Sequence, residues 1–98
     1  MVVRVTHHVR DYEAWKQVFD EHRAVREQYG ATGHVIYRSL DDPNLVTVVN
    51  HFPSVEAARS FAADPSLPEA MHRAGVDSDP QIEMAEQAED VSYQTLEV

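Results

Sequence analysis

The chain has 98 residues, no cysteine, and seventeen acidic against eight basic side chains, for a formal charge of -9. This length is that of one small domain, and the missing cysteines exclude disulfide staples, thiol nucleophiles and thiolate metal sites. Residues 77–98 hold seven acids and no base, a field that repels nucleic acid and anionic lipid, so neither is an expected partner.

VVRVTHHV at 2–9 alternates like a strand, with Val3, Val5, His7 and Val9 on one face and Val2, Arg4, Thr6 and His8 on the other. Asp11 caps a helix, DYEAWKQVFDEHRAVREQYG, that runs to a glycine stop and places Trp15, Phe19, His22, Arg26 and Tyr29 along one side. HVIYRSL, the turn residues DDPN at 41–44, and LVTVVNHF predict an antiparallel hairpin. Ser54 caps SVEAARSFAAD, Pro65 interrupts it, and Ser66 with Glu69 form a capping box for SLPEAMHRA, which Gly75 ends. The acidic segment 77–98 carries a fourth strand around Ile82, Met84 and Glu86, followed by a short terminal one.

The order strand, helix, strand, strand, broken helix, strand predicts an α+β, ferredoxin-like β-α-β-β-α-β unit spanning 1–98 as one domain. It has a four-stranded antiparallel sheet and both helices on one face. A chain this short buries only about 60 to 65 percent of its extended surface, so a second copy covering the bare sheet face is expected. The first residues hold Arg4, His7, His8 and Arg10 where a signal peptide or span needs an apolar run, and none occurs later. A soluble, cytoplasmic homodimer without membrane contact is the expectation.

From VVRVTHHV through DYEAWKQVFDEH, HVIYRSLDDPNLVTVVNHF and SVEAARSFAADPSLPEAMHRAGV, residues 2–90 resemble the dimeric α/β-barrel superfamily, particularly antibiotic-biosynthesis monooxygenase-like and polyketide-cyclase-like small proteins. The resemblance implies a dimeric α/β barrel. It also implies either a cofactor-independent oxygenase acting on a small aromatic or polyketide-derived molecule or an aromatic-ring cyclase. Members of unknown activity also have this look, and no diagnostic motif carries a catalytic role over to a particular residue.

The residues are therefore judged on their own chemistry. Six histidines, His7, His8, His22, His34, His51 and His72, are the most unusual feature, because neutral imidazole accepts a proton near ordinary pH. His7 and His8 are adjacent on a strand and point to opposite faces, which disfavours a metal pair. His8 shares parity with Arg4 and Thr6, and His51 with Leu45, Thr47 and Val49, so the two are catalytic candidates that meet if the register permits. His22, beside Trp15, Val18 and Phe19 on the helix, is the third. Hydrogen-bonded core or interface histidines are the competing role for all of them. His72 in the second helical piece, and Trp15 and Tyr37 among the aromatics, are substrate-binding candidates. Arg4 and Arg38 are candidates to hold an enolate or phenolate by charge-assisted hydrogen bonds.

No HExxH, paired HxH, calcium loop, phosphate loop or nucleophile elbow occurs, and no metal or cofactor is expected. Two readings follow. In one, histidine deprotonates a bound aromatic or polyketide-like molecule, which then reacts with oxygen or cyclises. In the other, a noncatalytic homodimer binds a small ligand or supports another biosynthetic protein. Convergence of polar groups in one enclosed cavity separates them.

Overall fold

A computed structural model describes residues 1–94. The β-branched run Val2–His8 forms β1, and Asp11 caps α1, Tyr12–Glu21, by accepting the Ala14 N–H at 2.9 Å. Then follow α2, Arg23–Gln28, β2, Gly33–Arg38, and β3, Leu45–His51. Ser54 caps α3, Val55–Ala62, through the Ala57 N–H, and the chain continues into α4, Ser66–Arg73, and β4, Gln81–Ala85. Gly30 and Gly75 adopt φ of +85° and +82° after α2 and α4, the left-handed conformation that lets the chain leave a helix without a Cβ clash.

The sheet is antiparallel with order β2-β3-β1-β4, the ferredoxin-like arrangement expected from the element order. The helices cover the face carrying Val3, Val5 and His7 of β1 and Val46, Val48 and Asn50 of β3. The opposite face carries Arg4, Thr6, His8, Thr47, Val49, His51, Val35 and Tyr37. Burial under the helices is split. One cluster joins Val3, Val5, Phe52, Ala58, Phe61 and Leu67, and a second joins Val9, Trp15, Val46, Val48 and Ala74.

Three local expectations change. The single helix predicted over 11–29 is broken at His22, whose φ of -84° and ψ of 3° leave the helical region. There the Phe19 carbonyl accepts both the His22 N–H, at 3.2 Å, and the Arg26 guanidinium, at 2.8 Å, so a side chain satisfies an orphan carbonyl at the end of α1. The Ser66–Glu69 capping box is replaced by Asp64, whose carboxylate accepts the Ser66 N–H at 2.8 Å, because Ser66 is already the first residue of α4 and Pro65 stands at the cap. No regular structure follows β4 over 86–94, and the rest of the predicted terminal strand lies outside the described residues. No helix among the described residues is long and apolar enough to cross a membrane.

Candidate active site between the two core clusters

Where the two clusters meet, packing is incomplete. A cavity of about 50 Å³ is walled by Val5, Phe61 and Leu67 of the first cluster and Trp15, Val48 and Ala74 of the second. Five polar or polar-tipped side chains also reach it: His7 from β1, Asn50 from β3, Trp15 from α1, His22 from the helix break and Arg26 from α2. Strand alternation places His7 and Asn50 there, each as the polar member of an otherwise apolar inward set.

His7 is 4% exposed and Asn50 3%. Both ring nitrogens of His7 and the Oδ1 of Asn50 are buried without a hydrogen-bond partner among the described residues. An unsatisfied buried polar atom costs about 1–3 kcal/mol, so three in one cavity call for an occupant that supplies the partners. Burial pushes His7 down to about 4, because an imidazolium would sit in an apolar shell without compensation. At neutral pH one of its nitrogens is therefore an unpartnered proton acceptor.

A row of rings leads outward from His7. Trp15 meets His7 edge-on at 5.8 Å, Phe19 stacks on Trp15 at 5.0 Å, and His34 meets Phe19 edge-on at 4.9 Å. The Arg26 guanidinium lies 3.7 Å over the same Phe19 ring. His22 closes another side through Nε2 to the Ser66 hydroxyl at 3.0 Å, tying the helix break to the start of α4. Burial, and secondarily the nearby Arg26, lower the His22 pKa.

No protein-family model and no curated protein matches the sequence, but solved structures share its architecture. A candidate antibiotic biosynthesis monooxygenase from Bordetella bronchiseptica aligns with a TM-score of 0.70 at 15% identity, over 89% of this chain and 96% of its own. Another from Caulobacter crescentus CB15 gives 0.70 at 18%, over 90% and 89%. SnoaB, a cofactor-independent oxygenase from Streptomyces nogalater, gives 0.64 at 21%, over 89% and 94%. The chain has the antibiotic biosynthesis monooxygenase-like fold.

On this monooxygenase-like fold the sequence-predicted residues divide. Trp15 and His22 line the cavity. His8 and His51 do not meet: His8 stands opposite Leu45 and His51 opposite Val2. That register sets them at opposite ends of the β1–β3 pair, about 20 Å apart, on the face away from the helices. Arg4 pairs with Glu83 at 3.0 Å on that open face, and Tyr37 is exposed there. Arg38 lies under the helices but at the β2 edge, 3.8 Å over the Tyr12 ring and donating to the Pro43 carbonyl at 2.9 Å. His72 is exposed and borders a surface groove with Met71, Pro80 and Ile82.

His7, Asn50 and Arg26 were not among the predicted site residues. The signal for the first two is in the pattern: each is the polar interruption of a valine set, Val3-Val5-His7-Val9 and Val46-Val48-Asn50. His8 has its own arrangement, with Nδ1 at 2.6 Å from Asp77 and Nε2 at 3.2 Å from Asp42. The hydrogen bond to Asp77 leads in raising its pKa. Among the described residues no three metal-ligating side chains gather into a metal site.

Proposed function

We propose that the protein is a cofactor-independent oxygenase acting on a small aromatic or polyketide-derived molecule, with His7 as proton acceptor. The observation that carries this reading is the buried, neutral imidazole of His7, unpartnered among the described residues, in an apolar cavity that Trp15 and Asn50 also line. The fold shared with SnoaB supports it.

A phenolic or benzylic proton passes to the imidazole, leaving an electron-rich anion. His7 holds this proton only while the new anion opposes it, since the site otherwise keeps the ring neutral. The anion reduces dioxygen directly. A ring CH₂ becomes C=O, one oxygen atom stays in the product and the other leaves as water, taking back the proton from His7. Carbon loses four electrons and dioxygen gains four, so no further reductant is required. Asn50 orients the substrate hydroxyl, and Trp15 supplies a flat wall.

At about 50 Å³ the cavity holds a few waters, well below the roughly 300 Å³ at which ligand pockets begin. Substrate therefore enters with an outward movement of α4, which contributes Leu67, Ala70 and Met71. The open sheet face, with Val35, Tyr37 and Leu45 exposed, is covered by a second copy. Sedimentation at micromolar concentration tests the dimer, and a clean monomer overturns it.

Oxygen uptake with a panel of anthrones and polyketide aromatics tests the activity. Uptake that disappears in His7→Leu supports the oxygenase. Product formation without oxygen uptake identifies a cyclase instead, and tight binding without turnover identifies a binding module.

A further inference from the structure

Among the described residues Arg26 is the only charged one of the buried polar side chains, 4% exposed alongside the uncharged His7 and Asn50. Burial lowers its pKa to about 10, which leaves it fully protonated at neutral pH. Its contacts are the Phe19 carbonyl, through Nη1 at 2.8 Å, and the face of the Phe19 ring. No carboxylate among the described residues lies within ion-pair distance of it.

The nearby acids are engaged elsewhere. Glu27 accepts from Arg23 at 2.6 Å, and Asp20 accepts both of its bonds from Lys16, at 2.6 and 2.7 Å. A buried cation without an anion is an expensive arrangement. The remaining guanidinium donors are not sealed in, since none is found among the buried unpartnered atoms.

They have somewhere to point. Arg26 lines the inner cavity with His7 and Asn50, and it also lines an outer notch of about 330 Å³ with Arg23, Glu27, Thr32 and His34. It thus stands at the boundary between an apolar chamber and a polar, cation-bearing opening. We propose that the ligand of this site is an aromatic carboxylate, its ring in the cavity against Trp15 and its carboxylate in the notch on the free guanidinium edge of Arg26.

This choice of substrate class rests on the oxygenase site proposed above, but its test reads binding rather than turnover. The planar fork of Arg26 suits a carboxylate. Arg23 is already neutralised by Glu27. Desolvation first and Arg26 next lower the pKa of His34, so it becomes easier to protonate once an anion arrives.

The probes are a matched pair, 1-naphthol and 1-hydroxy-2-naphthoate, titrated calorimetrically into the full chain. The carboxylate is expected to bind at least about tenfold more tightly, the scale of one charge-assisted contact. Arg26→Gln is expected to erase that advantage, read as the ratio of the two affinities within the variant, and Arg26→Lys to restore part of it. Because Arg26 also satisfies the end of α1, a second measurement uses the unaltered protein. The Arg26 Nε–H resonance and the His34 titration are followed by NMR, and both should move with the naphthoate, the His34 midpoint upward, and stay in place with the naphthol. Equal affinities, a preference that survives Arg26→Gln, or no response at Arg26 each overturn the carboxylate site. Oxygen uptake dependent on His7 would still stand in those cases, so the two proposals fail separately.

Discussion

His7 and His8 are neighbours on β1, and the sheet divides them into two environments. Beneath the helices, His7 sits among valines, with no partner for either nitrogen among the described residues and a pKa lowered to about 4. On the bare face, His8 is clasped by Asp77 and Asp42 from two different loops, and its pKa is raised. One imidazole is kept neutral and available, whereas the other is stabilised as a cation and already occupied. Position relative to the sheet, rather than residue type, decides which histidine is free for chemistry.

The strongest way to break this contrast is to remove each ring in turn. His7→Leu should lower turnover by about 10² to 10⁴-fold, the range for a general base. It should also stabilise the fold by roughly 1–3 kcal/mol, because an unsatisfied buried group disappears. His8→Leu should leave kcat unchanged. Oxygen uptake and urea unfolding measured on both variants decide the matter, and equal losses of turnover would remove His7 from its role.

The second test compares packing on the two faces. Phe61, fully buried against Phe52 at a ring separation of 5.1 Å, should cost about 3–5 kcal/mol when truncated to alanine. Tyr37, exposed on the open face, should cost the isolated fold no more than about 0.5 kcal/mol on truncation while weakening the proposed dimer. Denaturant midpoints at two protein concentrations separate these effects.

The third test uses pH, where the two histidines act with opposite sign. Between about pH 6.5 and 4 the unfolded chain takes up a proton that folded His7 refuses, so its contribution to stability is present above 6.5 and lost as pH falls toward 4. His7→Leu should flatten that acid limb. The His8 contribution is complete below 6.5 and fades as pH rises through its raised folded value. Asp77→Asn should lower the His8 midpoint seen by NMR, the smallest of the expected changes.

Much of the fold was legible because periodicity, caps and turn residues agree: Asp11, Ser54, DDPN, Gly30 and Gly75 all act where the sequence places them. The alternation of β1 also fixed that His7 and His8 part company. The face taken by the helices follows from the apolar parity of Val3, Val5 and Val9, and a polar residue on that parity is the one to follow. Pairing His8 with His51 failed because shared parity sets a face but not a position along it, and register depends on strand partners far apart in sequence. Arg26 was visible as a member of the helix stripe. Its burial was not, because that depends on the helix breaking at His22 and on how α2 meets the sheet.

The sheet ends in β4, every residue of which is exposed and which pairs with β1 alone among the described residues. Such an edge is a template for joining sheets into fibrils, and here Glu86, Glu89 and Asp90, just beyond β4, make any second copy approaching that edge meet like charge. That protection is electrostatic and therefore screened by salt. Light scattering should rise with ionic strength while the protein is still folded.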